Sequence, residues 1–386
     1  MKRWKAPAFE PFLGLEHDDR SSIYYAPAIA WNGHDGFQAG LLLHNTTFPS
    51  QRTEWVVAPL YAFGSERFVG AARIEHHFDR IRSKVFQNIH LGLSGRSAST
   101  LHDHYANSWF TKLQPSVTFD LKRDPLTRPW AHSITLRGVF LRNESIQDPP
   151  DGPYVSSSTD DTFVDLSYSA RNSSALMPTT ITPVVTYHAD FLRASVEISQ
   201  GFTYNARKDQ FRIRAFAGTF LSKNADGLSN GLQAWGLTWG PEDMLFDQAY
   251  FERGATDGFT GRQFVKQQGA FRTPFQQGGS DTWVASINTE IDIPIGIPLS
   301  VFASAGFVPI TSVTQEGTSV STASYYEAGI GLQVVRDVFE IWFPLAVSSR
   351  IADEEEFLDR QVTDRVRFVF ALERMDPTKL LRHLKP

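Results

Sequence analysis

Apolar and polar residues alternate with period two along nearly the whole chain, the pattern of a strand whose two faces meet different surroundings. In "SYYEAGIGLQVV" one face carries Tyr326, Ala328, Ile330, Leu332 and Val334, and the other carries Tyr325, Glu327, Gly329, Gly331 and Gln333. "RVRFVFALE" separates Val366, Phe368, Phe370 and Leu372 from Arg365, Arg367, Val369, Ala371 and Glu373. The alternation predicts strands near 22–32, 36–45, 53–62, 66–78, 82–97, 106–121, 129–143, 162–172, 180–188, 191–205, 210–221, 231–240, 245–253, 282–293, 298–308, 323–335, 338–348 and 364–374. Pro27, Pro59, Pro115 and Pro183 break or demote their strands. Sixteen strands are therefore expected, or eighteen if every stretch counts, an even number either way. Helical pattern is confined to "EEEFLDR" (354–360) and "DPTKLLRHL" (376–384).

Connections carry a second signal. Reading back from the C-terminus, long "SRIADEEEFLDRQVT", short "RD", long "PITSVTQEGTSVS" and short "PIGI" precede a very long connection at 254–281. Short turns at one end and long loops at the other characterise transmembrane β-barrels. Alternation alone fits a soluble sandwich with an apolar interior equally well. Three features favour the barrel. The polar faces are rich in Gly, Ser, Asn and Thr rather than Lys and Glu. Aromatic residues gather at strand ends, as with Trp31, Trp55, Trp130 and Trp342, which suits interfacial girdles. A closed barrel also absorbs this many strands without leaving edges.

The expected fold is thus all-β, a closed antiparallel transmembrane β-barrel with short periplasmic turns and long outer loops, in the bacterial outer membrane. Residues 1–21 lead into it, 22–375 form it and 376–386 are a tail. No composition break or Gly/Ser linker divides the 386 residues.

Composition narrows the chemistry. A net charge of −5 gives no field directed at nucleic acid. The absence of cysteine removes disulfides and thiolate metal sites. No run of about 18 apolar residues is present, so no transmembrane helix is expected. The N-terminus lacks the apolar stretch of a signal peptide, so an exported chain would be met here as a mature form or a fragment.

"EHHFD" (75–79) and "LHDHY" (101–105) bring His and Asp together, as metal sites do. His76 and His77 point to opposite faces of a strand, however, and no metal or other cofactor is expected. His90 and Ser94 on the wall offer hydrolase chemistry without a spacing that singles out a triad. HExxH, GxSxG, P-loop and GxGxxG motifs are missing, and no catalytic residue is assigned. Charges on the polar faces, among them Glu197, Arg212, Arg214, Glu290, Asp292, Arg365 and Arg367, either line a wet pore or pair across strands; pairing is favoured by their mixed signs.

At "GFTGRQF…GG…WVASINTEIDIPIGIPLSVFASAG" the chain resembles the barrel of the bacterial surface antigen family, which covers outer-membrane assembly and two-partner-secretion barrels. The resemblance implies a sixth loop whose Arg-Gly-Phe signature enters the lumen. Gly261, Arg262 and Phe264 stand near that signature, with Gln263 where its second glycine would be. Gly278 and Gly279 match paired glycines, Glu290 and Pro294 a strand end, and Phe302 and Gly306 the next strand, where Ser304 replaces the family's aspartate. The implied inner-wall partners of Arg262 are then Glu290 or Asp292. "FEPFLGLEHDDRSSIYYAPAIAWNGHDGFQAGLLLHN" and "FRIRAFAGTFL" are most similar to the barrel appended to large aminopeptidase-like metalloproteases of Bacteroidota. Such a zinc domain would precede the barrel in a longer chain; its HExxH is absent here. The implied role is a membrane anchor or protein-translocation module without catalytic activity, its lumen plugged by loop 254–281. A passive porin-like channel for small solutes is the alternative, and a barrel-wall hydrolase a third reading. Implied partners are outer-membrane lipid and a preceding periplasmic or surface domain or a translocated polypeptide.

Overall fold

The structure, a computed structural model, describes residues 7–12, 21–47, 51–79, 81–123, 128–148, 152–224, 234–238, 243–253, 258–314 and 317–371. Two units are distinguishable: Met1–Ser167 with Phe251–Gly254, and Tyr168–Tyr250 with Ala255–Pro386.

The first unit contains β1 (Ala8–Pro11), β2 (Ser22–Asn32), β3 (Gly36–His44), β4 (Thr53–Ala62), β5 (Arg67–Phe78), β6 (Phe86–His102), β7 (Ala106–Leu121), β8 (Trp130–Gln147) and β9 (Val155–Asn172), whose last residues fall in the second unit. Each strand from β2 to β7 pairs antiparallel with its successor, and β9 neighbours β8. Only β1 runs parallel to its partner, β2.

In the second unit stand β10 (Thr179–His188), β11 (Phe191–Thr203), β12 (Gln210–Lys223), β13 (Trp235–Gly236), β14 (Gly279–Ser280), β15 (Trp283–Asp292), β16 (Leu299–Thr314), β17 (Gly317–Val335), β18 (Phe339–Val347), α1 (Ser349–Phe357) and β19 (Arg367–Phe370). The antiparallel order is β10-β11-β12-β15-β16-β17-β18-β19, with β13 and β14 pairing separately.

Sixteen of the eighteen candidate stretches are strands, β2 to β12 and β15 to β19; with β1, which the alternation does not mark, the described residues hold seventeen ladder strands rather than an even sixteen or eighteen. The other two require correction. Within 231–240 the described residues hold only the two-residue β13, and 245–253 holds no strand. Trp235 and Leu237 instead pack with Phe216, Phe271 and Phe275, while the Asp243 carboxylate accepts the backbone N–H groups of Asp247 and Gln248, a local turn that competes with a ladder.

"PITSVTQEGTSVS" also differs from its expected form. It is not a long loop but the end of the β16–β17 hairpin, paired from Pro309↔Thr322 to Thr314↔Gly317. Long connections are therefore confined to those after β12 and β18. The four prolines sit inside β2, β4, β7 and β10. Pro59 and Pro115 coincide with gaps in the β3–β4 and β7–β8 ladders, so their missing N–H groups cost pairing on one side only. The helix expected at 354–360 begins earlier, at Ser349; residues 376–384 lie outside the described residues.

Burial inverts the order of a soluble protein. On β15 the buried face carries Ser286, Asn288, Glu290 and Asp292, while Ile287 and Ile291 are exposed. On β17 Glu327 is 1% exposed, yet Ile330 and Val334 on the opposite face are 41% and 52% exposed. The first unit repeats this. Gln38, Lys112 and Asp165 are buried, and Ile29, Leu41, Ile74, Leu91 and Phe140 are exposed. Apolar side chains outward with polar ones inward is the alternation of a strand facing hydrocarbon on one side.

One turn of the first unit shows how tightly the polar groups are satisfied. Asp35, fully buried after β2, accepts hydrogen bonds from Asn32 Nδ2 (2.8 Å), Ser65 Oγ (2.7 Å) and the Ser99 backbone N–H (3.1 Å). Burial alone would raise its pKa, but these donors outweigh it and hold the carboxyl below its ordinary value. A depressed folded pKa contributes stability above the unfolded value of about 4, lost as pH falls through the folded one. Asp35→Asn is expected to cost about 2 kcal/mol near neutral pH. Thermal melts in detergent should show that deficit narrowing at pH 3; a deficit unchanged by acid would contradict the assignment.

Candidate functional site: a segment held against buried charges

Residues 258–281, between β12 and β15, lie against the polar face of the second unit. The turn Thr260–Arg262 leads into Gln263, which bridges Phe368 in parallel, and the Phe264 N–H donates to the Phe368 carbonyl at 2.7 Å. Phe264 is buried with Ala270, Phe302, Trp342, Val369 and Ala371. Beyond the turn at 267–270 the chain runs beside Leu237, whose carbonyl accepts the Phe271 N–H at 2.9 Å, and Phe275 stacks on Tyr325 at 5.0 Å. The Gln276 and Gln277 N–H groups end on the Glu354 carboxylate of α1.

Arg272 is the centre of this arrangement. Its side chain is 1% exposed, with Nη2 at 2.5 Å from Glu290 Oε1 and Nη1 at 3.9 Å from Glu327 Oε1. The backbone N–H groups of Arg272 and Thr273 each donate to one oxygen of Glu327, at 2.9 and 2.8 Å. The guanidinium lies over Trp342 (3.8 Å) and Phe302 (4.1 Å), so aromatic faces cover the charge that the carboxylates leave unmatched. Lys266 adds a second cation, 3.1 Å from Glu290, 3.2 Å from Asp337 and 3.7 Å from Glu340. Wall arginines complete the set: Arg212 reaches Glu290 and Asp292, and Arg336 reaches Asp292 at 2.7 Å.

Glycine on the polar face now has a cause. A Cβ at Gly306 would stand 2.4 Å from Leu237 Cδ2, and one at Gly218 2.9 Å from the Trp235 ring. The wall is bare where the inserted side chains need room. Beside the segment a cavity of about 340 Å³ remains, lined by Glu197, Arg212, Arg214, Lys266, Arg272 and Asn288 among others.

The sequence-derived site residues separate here. Phe264 is buried in the segment. Arg262 instead turns to the connection after α1, where Nη2 meets Asp364 Oδ1 at 2.8 Å and Nη1 the Thr363 carbonyl at 3.1 Å. Gly261 lies in the same short turn. Glu290 faces the segment, with Arg272, Lys266 and Arg212 as its cations, while Asp292 pairs with the wall residues Arg212 and Arg336; Arg262 reaches neither. Ser304, standing where the resembled family has aspartate, donates to Glu327, its direct cross-strand partner, so the carboxylate comes from the neighbouring strand. Arg272 and Glu327 were not singled out by sequence; "AFRTPF", an arginine between aromatics, and the register of Ser304 were the available signals.

In the first unit the wall hydrolase residues do not combine. His90 bonds Asp120 and His77, and no hydrogen bond joins it to Ser94 among the described residues. No group of three or more His, Asp or Glu among the described residues converges on one metal position.

No protein-family model matches the chain, and no curated protein does. Among solved structures it is similar to BamA from Haemophilus ducreyi lacking POTRA domains 1–3, with 8% identity, a TM-score of 0.42, and coverage of 86% of this chain and 67% of that one. It is also similar to CdiB from Acinetobacter baumannii, with 8% identity, a TM-score of 0.39, and coverage of 85% of this chain and 56% of that one. Likenesses this distant say nothing about activity.

Proposed function

We propose that the chain is a closed β-barrel of the bacterial outer membrane that serves as a membrane anchor or protein-translocation module, its interior plugged by loop 254–281. The observation that carries this reading is the buried Arg272 and the partly buried Lys266, from a segment outside the ladder, held against carboxylates of β15, β17 and β18. A loop free in water would have no reason to carry cations into a wall lined with carboxylates. Outward Ile, Leu, Val and Phe side chains would supply the lipid contact, and closure of the ladder would satisfy the backbone polar groups as hydrocarbon requires. Partners would be outer-membrane lipid and a preceding periplasmic or surface domain or a passing polypeptide. No part of this role calls for a catalytic residue.

Planar-bilayer recording tests the plug. Wild-type protein is expected to give rare, small openings, and deletion of residues 258–281 a steady conductance at least several-fold larger. A wild type that already conducts steadily, with no change on deletion, would favour a passive channel for small solutes instead.

A further inference from the structure

The first unit holds a histidine pair that the proposed role does not use. His77 on β5 and His90 on β6 are direct cross-strand partners, and their Nδ1 atoms approach to 2.6 Å. His90 is hydrogen-bonded to a carboxylate on its other nitrogen, and a second carboxylate stands at longer range from His77. His90 Nε2 lies 2.9 Å from Asp120 Oδ2 on β7, and His77 Nε2 lies 3.9 Å from Glu75 Oε2. Asp120 is further held by Asn88 Nδ2 at 3.3 Å, and Glu75 has Arg73 at 3.6 Å. All of these belong to the polar face, whereas Ile74 and Leu91 on the opposite face are exposed.

The tautomers follow from the partners. A carboxylate beside Nε2 favours the proton there, and a neutral imidazole carries only one. In the tautomer that carries the proton on both Nε2 atoms, the one Asp120 selects for His90, both Nδ1 atoms present lone pairs to a single point. Two lone pairs 2.6 Å apart repel unless a cation lies between or beside them. A metal ligand whose second ring nitrogen donates to a carboxylate is the usual second-sphere arrangement of histidine metal sites.

We propose that His77 and His90 form a two-histidine site for a divalent cation of the zinc, copper or nickel class, with Asp120 and Glu75 as the orienting carboxylates. Imidazole nitrogen suits these ions and disfavours calcium or magnesium. Bonds of about 2.0–2.1 Å to both Nδ1 atoms require their separation to widen to roughly 3.3 Å, within reach of small ring rotations. Asp120 and Glu75 offset most of the dication's charge, with Arg73 opposing part of Glu75. The coordination positions the protein does not fill stay open to water or to an incoming ligand.

The test is titration of tag-free, metal-stripped full-length protein in detergent micelles with Zn²⁺ alone, followed by calorimetry. One saturable site is expected. His77→Ala and His90→Ala should each weaken it at least tenfold, and Asp120→Asn by about tenfold through loss of the orienting contact. His76→Ala, on the opposite face, should leave it unchanged. In case the alanine variants misfold, Cu²⁺ bound to the wild type should show two imidazole nitrogens in its electron paramagnetic resonance spectrum. Absence of saturable uptake, equal binding by His77→Ala and wild type in folded protein, or a spectrum without two imidazoles would each overturn the proposal and leave a pair that shares only a proton.

Discussion

Arg272→Ala is expected to destabilise the protein by about 3–5 kcal/mol, because it strips a buried carboxylate pair of its cation without removing the carboxylates. Glu290 keeps Lys266 and Arg212 as partners, whereas Glu327 keeps the backbone donors and Ser304 that already engage it, with Arg367 acting on it at longer range. The loss should appear as a lower unfolding midpoint in detergent and as faster proteolysis within 258–281. Pairing the change with Glu327→Gln, which removes the uncompensated charge, should recover part of the stability, a coupling that separates a lost ion pair from a lost packing contact. Arg262→Ala provides the contrast. Its pair with Asp364 is about one-third exposed on both sides, so less than about 1 kcal/mol and little change in loop protection are expected. Equal protease sensitivity in the two variants would place the anchor at Arg262 instead.

Ile330→Lys should have the second large effect, and it bears on the solvent outside the wall. Ile330 is 41% exposed in the C-terminal half of β17, flanked across the ladder by Val301 and Phe343. If that surface meets hydrocarbon, an ammonium placed there costs about 2–4 kcal/mol at the bilayer midplane. Were it in water, an exposed Ile→Lys change would stay within about 0.5 kcal/mol, or improve solubility. Folding titrations in lipid vesicles distinguish the two. A neutral outcome would remove the membrane reading while leaving the strand topology intact.

Legibility was uneven along the chain, for physical reasons. Period two marks the two faces of a strand without reference to any neighbour, so β15 and β17 could be split residue by residue into the stripes the structure shows. The same periodicity misled at 231–240, where Trp235 and Leu237 pack with Phe216 and Phe271, and at 245–253, where the Asp243 carboxylate holds a local turn. Loop 254–281 has no period at all. Locally only the flanking aromatics of "AFRTPF" set Arg272 apart from Arg262, ten residues away, and the choice rests on which one finds carboxylates and aromatic faces waiting.

The histidines make the same point. From sequence, His76 and His77 were known to face opposite ways, which argued against their sharing an ion. That His77 stands opposite His90 depends on the register of β5 against β6, which the strands set by pairing.

By itself, then, the sequence determined the strand class, the apolar and polar stripes, and Glu290 and Asp292 as wall carboxylates, because each of these depends only on residue type and spacing along one strand. Tertiary structure decided which cations those carboxylates hold, that Glu327 supplies the charge Ser304 lacks, and which histidines meet. Those outcomes arise between segments distant in the chain, where register and packing bring groups together that no local pattern connects.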